Sequence, residues 1–214
     1  MIQDMNIPGL RHPALLMLLC LLSSTEAGAV PWSLPQPISD QNTAVTFEVD
    51  STWHTVHGTT SGLMGQVSRT PEGAVVVDVE LPVSGFDTDN ESRDEKLRRC
   101  MDEPRFPRVK LQAIDSVGRC PEAEVAADAR CRGELRGSLT IRDVTREIAL
   151  PFEGGLEGGR FVLQGMTSFD WSAFGVEDPS ILIAKVDEVV KVHYRFALSL
   201  APPAVGEGVP QAVP

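Results

Sequence analysis

The sequence has little positive charge, and what it has is not clustered. Lys and Arg number 19 against 30 Asp and Glu, which gives a formal net charge of -11. Nucleic acids and anionic lipid surfaces are recognised through concentrated positive charge. The composition therefore argues against both as partners.

Motifs of catalysis and metal binding are missing as well. The chain has no G-x-S-x-G elbow, no H-E-x-x-H motif, no phosphate-binding loop and no C-x-x-C pair. His54 and His57 are three residues apart, and on a strand such residues point to opposite faces. Surface or turn histidines are therefore favoured over a shared metal site, and we expect neither a bound metal nor an enzyme.

No apolar run is long enough to cross a membrane, which takes about 20 residues. The run "PALLMLLCLL" follows the cationic Arg11 and precedes small residues at Ala27 and Ala29. This order predicts a secretory signal peptide over residues 1–29, with the mature protein starting at Val30 in the bacterial periplasm or outside the cell.

Beyond the signal peptide the chain reads as one domain. Residues 30–41 are predicted to be a linker, residues 42–200 the domain, and residues 201–214 a disordered tail rich in Pro, Gly and Ala. Export would permit disulfides. Cys120 and Cys131 flank a long loop between two apparent antiparallel strands, so we predict that they pair.

Polar and apolar residues alternate along most of the domain, as in half-buried strands. In the last such segment Val190, Val192 and Tyr194 face one way while Lys191 and His193 face the other. Short strands joined by Gly, Asp and Pro turns predict an all-β antiparallel fold of about eight strands. Periodicity alone does not distinguish a sandwich from a closed barrel.

One segment, "SRDEKLRRCMDEPRFP", has a helical period instead. Ser92 and Glu95 fit a capping box, and Pro104 is expected to end the helix. The apolar residues form one stripe: Leu97, Cys100, Met101. From these residues alone, the segment is a crossover helix that plugs one end of the β-structure.

Four segments in order resemble the YceI-like family: "GFDTDNESRDEKLRRCMDEPRFPRVKL", "GSLTIRDVTREIALPF", "SFDWSAFGV" and "DEVVKVHYRFAL". The sequence departs from that family's pattern at Asp143, where Gly is usual, and at Cys100. The resemblance implies a lipocalin-like antiparallel β-barrel with a short capping helix, exported in bacteria, that holds a long isoprenoid lipid. An eight-stranded barrel can enclose one small ligand, and the helix would then be its lid.

The apolar strand faces and the helix stripe supply the predicted ligand lining: Val45, Phe47, Val75, Val77, Val79, Leu97, Met101, Leu111, Leu139, Phe161, Leu163, Phe169, Trp171. Arg93 and Asp94 are the polar candidates. They form an ion pair that ties the lid to the barrel, or Arg93 contacts the polar head of the ligand. Both interpretations stay open at this point.

The sequence therefore predicts an exported, non-enzymatic protein that holds a polyisoprenoid or similar amphiphile for transport or storage, with no cofactor beyond a bound lipid or quinone. One alternative is a periplasmic redox-associated protein with a bound quinone and a reactive Cys100. Another is a structural β-domain with a filled core. If Cys120 and Cys131 pair, Cys100, on the apolar stripe, is predicted to be a buried free thiol.

Overall fold

The computed structural model describes residues 34–72, 74–118, 130–180 and 185–199. The predicted signal peptide, most of the linker, Cys120 and the tail lie outside these ranges. The described strands are β1 (Gln36–Ser39), β2 (Thr43–Ser51), β3 (Thr55–Thr60), β4 (Met64–Arg69), β5 (Val75–Pro82), β6 (Phe86–Asp87), β7 (Arg108–Gly118), β8 (Arg130–Ile141), β9 (Val144–Glu157), β10 (Arg160–Asp170) and β11 (Val186–Ser199). The described helix is α1 (Glu91–Cys100), and 3-10 turns occupy Val83–Gly85 and Trp171–Phe174.

The strands form one antiparallel sheet in the order β1-β4-β5-β7-β8-β9-β10-β11-β2-β3-β6. The sheet is strongly curled into a half-barrel, with eleven strands rather than the predicted eight. The additional strands are short and only weakly alternating. β1 contains a proline and begins inside the stretch predicted to be a linker, and β6 has two residues.

The alternating pattern of the sequence becomes the two faces of the sheet. Along β5, Val77, Val79 and Leu81 are buried on the inner face and the residues between them are more exposed. The same alternation runs through the hairpin of β8 and β9, where Ile141 pairs with Val144 across a two-residue turn. Strongly periodic strands were thus placed correctly from the sequence.

A glycine lets one large side chain lie flat across the inner face. Phe47 on β2 and Gly58 on β3 are cross-strand partners. The Phe47 ring covers the space that a Cβ at Gly58 would occupy. A side chain at Gly58 would therefore push the ring away from its buried position.

Helix α1 begins at Glu91 because Asn90 caps it. The Asn90 Oδ1 atom accepts a hydrogen bond from the Arg93 N–H at 3.1 Å. The predicted capping box is wrong, since Ser92 and Glu95 lie inside the helix with exposed side chains. The segment "DNES" offers Asp, Asn and Ser, all good caps, so the sequence alone does not select among them.

The helix ends before the predicted Pro104. Asp102 adopts a left-handed conformation (φ 52), and its N–H donates to the Arg99 carbonyl. The next N–H, of Glu103, donates to the Arg98 carbonyl, which completes a Schellman motif with Asp where Gly is usual. No helix in the described part of the chain is long and apolar enough to cross a membrane.

One end of the half-barrel is closed by packed apolar side chains and by the side-chain amide of Gln36. Gln36 on β1 donates to the Ser199 carbonyl at 2.6 Å and accepts from the Ser199 N–H at 2.8 Å, so it imitates a strand neighbour for β11. Phe161, Leu198 and Ile38 are buried at this end. Helix α1 and the two 3-10 turns lie at the opposite end, where a cavity enters the fold.

Candidate functional site

A cavity of about 460 Å³ lies between the inner face of the sheet and helix α1. Its wall is almost entirely aliphatic and aromatic side chains from both halves of the sheet. The helix contributes Leu97, Cys100 and Met101, the stripe read from the sequence. The helix therefore covers the cavity with its apolar face, the position expected of a lid.

Most of the side chains predicted to line a ligand site do line this cavity: Val45, Phe47, Val77, Val79, Leu97, Met101, Leu111, Leu139, Phe169, Trp171. The structure places Val75, Phe161 and Leu163 elsewhere, in the core at the closed end. These three share the inward direction of the others. They lie beyond the cavity floor, where side chains from facing strands meet and leave no space.

The hydroxyl groups inside the cavity are already used. Thr60 and Thr167 donate to main-chain carbonyls of neighbouring strands at 3.0 and 2.8 Å. The Tyr194 hydroxyl donates to the Pro151 carbonyl, and burial raises the pKa of this phenol. Because each of these hydroxyls has used its single donor, they offer a ligand acceptor sites only, and the wall around them is otherwise apolar.

Thr88, just before the helix, joins the two charged residues predicted from the sequence. The Thr88 N–H and hydroxyl donate to the Asp94 Oδ1 atom at 3.0 and 2.5 Å. Arg93 donates from Nε to the Thr88 hydroxyl at 2.8 Å and from Nη2 to the Thr88 carbonyl. Among the described residues no ion pair joins Arg93 to Asp94 directly. Both tie the helix to the end of β6, and Arg93 alone of the two lines the cavity.

A second set of contacts ties the helix across the mouth to the segment 176–180. The Lys96 Nζ atom donates to the Ser180 carbonyl at 3.2 Å, and the Glu177 N–H donates to the Cys100 carbonyl at 3.2 Å. Val176 and Pro179 of this segment line the cavity. The mouth is thus bordered by α1 on one side and by residues 176–180 on the other.

The profile of the YceI-like domain matches residues 37–198 of the chain. The chain belongs to the YceI-like family. No curated protein matches it in sequence. Several solved structures are similar to this YceI-like chain, and two of them are compared next.

BcnA from Burkholderia cenocepacia is 16% identical over 73% of this chain and 96% of its own, with a TM-score of 0.58. A polyisoprenoid binding domain from Saccharophagus degradans, implicated in plant cell wall breakdown, is 11% identical over 77% of this chain and 98% of its own, with a TM-score of 0.61. At such identities the likeness concerns the fold, and it agrees with the predicted lipocalin-like class.

Sequence reasoning did not place two side chains with basic nitrogen atoms, Lys96 and His54, in the wall of this YceI-like cavity. Lys96 could have been found, since it lies three residues after Arg93 and one before Leu97, on the helix face that covers the cavity. His54 could not, because it follows β2 in an irregular turn. His57, three residues further along the chain, points outward, and its Nδ1 atom lies 3.4 Å from the Glu48 carboxylate.

The cysteines of this YceI-like chain differ in state. Cys100 is a buried free thiol, as predicted, and burial raises its pKa. Cys131 is disulfide-bonded. Its predicted partner, Cys120, lies outside the described residues, so the pairing stays a prediction.

Proposed function

We propose that this protein is an exported, non-enzymatic carrier or store that binds a polyisoprenoid or a similar long amphiphile in its cavity. The observation that carries the proposal is a largely apolar cavity of about 460 Å³, in which the hydroxyls of Thr60 and Thr167 donate to main-chain carbonyls. Ligand pockets in proteins typically have roughly 300–1,000 Å³. The cavity offers a long hydrocarbon chain burial without competing polar contacts.

Two further observations support an amphiphile. The charged side chains of the cavity wall, Arg93 and Lys96, lie at the mouth, so an apolar tail inside and a polar head at the rim would each meet a matching surface. The Saccharophagus degradans domain of similar fold is a polyisoprenoid binding domain. Family membership together with this neighbour favours lipid over a small polar ligand.

The alternatives are less well supported. A thiolate is the reactive form of cysteine, and burial raises the pKa of Cys100, which opposes the redox interpretation. A filled core is opposed by the cavity itself. A bound quinone remains compatible with the chamber, because a quinone with an isoprenoid tail is an amphiphile of the proposed kind.

The test is extraction of the purified protein with organic solvent, followed by mass spectrometry. We expect a co-purified isoprenoid or other long-chain amphiphile. Leu111→Asp, which places a charge in the cavity wall, should lower the lipid content severely because an unpaired carboxylate is costly in apolar surroundings.

The matched control is Ile114→Asp on the same strand, since Ile114 is 48% exposed on the outer face. It should retain the wild-type lipid content, and thermal unfolding of both variants would show that each is folded. An empty extract from wild-type protein, combined with no uptake of added isoprenoid, would contradict the proposal.

A further inference from the structure

The cavity has a charge pattern opposite to that of the whole chain. Asp and Glu outnumber Lys and Arg by 30 to 19. Yet among the described residues that line the cavity there is no carboxylate, whereas two cationic residues, Arg93 and Lys96, line it. A neutral head group would not require this arrangement, and placing cations beside an apolar chamber costs solvation energy.

The charge of Arg93 is already balanced within the protein. Its Nε and Nη2 atoms donate hydrogen bonds to Thr88. The Thr88 hydroxyl in turn donates to the carboxylate of Asp94, which is buried. This chain of contacts leads from a guanidinium to a carboxylate through one hydroxyl. Arg93 therefore has its counter-charge close by and acts mainly to hold the helix in place.

The charge of Lys96 is not balanced in this way. Its contact at 3.2 Å is a neutral carbonyl, that of Ser180, and an ammonium group has three donors, so two remain. The carboxylate of Asp178 interacts electrostatically with Lys96, but Asp178 and its neighbour Glu177 are exposed on the segment across the mouth, and neither lines the described cavity wall. Water screens such exposed charges strongly.

We propose that the cavity takes a lipid with an anionic head, a phosphate or a carboxylate, and that Lys96 is the residue that binds this head. The inference rests on the proposed function and narrows its ligand class. The tail fills the apolar chamber, and the head stops at the mouth beside the Lys96 ammonium. Arg93 supports the position of the helix that presents Lys96.

The experiment compares three ligands with one tail: geranylgeraniol, geranylgeranyl phosphate and geranylgeranoic acid. Binding to delipidated protein is measured by titration at low salt. We expect at least one anionic ligand to bind about tenfold to a hundredfold more tightly than the alcohol, the range for a hydrogen bond to a charged group. The phosphate and carboxylate arms show which anion is preferred.

The decisive variant is Lys96→Met, which retains the length and apolar character of the stem. It should remove the preference for the anionic ligand. Because the substitution also removes the Lys96 contact with Ser180, the readout is the ratio of the affinities for the anionic ligand and for geranylgeraniol. The matched control is Lys110→Met. Lys110 is exposed, lies between two residues that face the cavity, and pairs with Glu80 on the outer face at 3.0 Å. This control should retain the full preference.

The wild-type protein provides a second measurement that needs no variant. Raising the salt from about 0.05 to about 0.5 M should weaken the anionic ligand several-fold and leave the alcohol unchanged, because salt screens charge pairs at an open mouth. Equal affinities for all three ligands, or a preference that survives Lys96→Met, would overturn the inference while leaving lipid binding intact. Failure of all three to bind would overturn the proposed function and this inference with it.

Discussion

At the scale of single residues, Thr88 holds the helix end together. Its hydroxyl donates to Asp94 and accepts from Arg93 at the same time. Arg93 and Asp94 were chosen as polar candidates from the sequence because two opposite charges stand next to each other at the start of the predicted helix. The part played by Thr88 was not, since a threonine before a helix is common and its two contacts depend on how β6 turns into α1.

Replacing Thr88 by valine keeps the shape and removes the hydroxyl. Asp94 is buried and would lose one of its two bonds from Thr88, while Arg93 would lose an acceptor. We expect Thr88→Val to lower the free energy of unfolding by about 1–3 kcal/mol, the cost of leaving buried polar groups short of partners. Urea denaturation measures the change.

Thr145→Val is the matched control for this substitution. The Thr145 hydroxyl also bonds a side chain, that of Thr140 at 2.8 Å, but it is exposed to solvent. Its loss should change stability by no more than about 0.5 kcal/mol. Similar values for the two variants would show that the contacts of Thr88 carry no special weight.

At the scale of elements, the sequence predicted well where its pattern was long and poorly where it was short. The alternation along β5, β8, β9 and β11 identified strands and their inner faces. β1 and β6 were missed, because four and two residues are too few to show a period. β3 and β4 were missed as well, because their six residues each are mostly polar or small and alternate only weakly. The helix was found from its apolar stripe, but both of its ends were misplaced.

The residue that caps the helix can be tested by replacing Asn90 and Ser92 separately with alanine. Asn90→Ala should destabilise the protein by about 1 kcal/mol, because it removes the side-chain acceptor for the Arg93 N–H. Ser92→Ala should have little effect, since Ser92 lies exposed inside the helix and alanine is a good helix former. Chemical denaturation of both variants decides between the caps, and the reverse order of effects would restore the capping box.

At the scale of the whole molecule, the sequence predicted an apolar cavity lined by the inner strand faces, but it did not predict where the floor of this cavity lies. Alternation shows which side chains point inward, and this was enough to anticipate Leu111 and Leu139 in its wall. It does not show where facing side chains meet. Phe161 and Leu163 therefore joined the predicted lining although they belong to the core. The floor depends on the curl of the sheet, which no local pattern encodes.

The compartment of the protein is also a property of the whole chain. Disulfides persist mainly in oxidising compartments, so the disulfide at Cys131 supports the proposal that the protein is exported. We expect N-terminal sequencing of periplasmic material to begin at Val30. A mature chain that retains residues 1–29, or one that starts at a lipid-modified Cys20, would contradict the signal-peptide prediction.

The bond pair between Gln36 and Ser199 has a practical consequence for handling the protein. It brings the first and last described strands together at the end opposite the mouth. A fluorophore or a surface linkage attached through a cysteine introduced at Pro37, which is exposed on β1, therefore starts on the side away from the ligand entrance. Molecules immobilised by such a tether would present their openings to the solution, which suits them to surface-based binding assays.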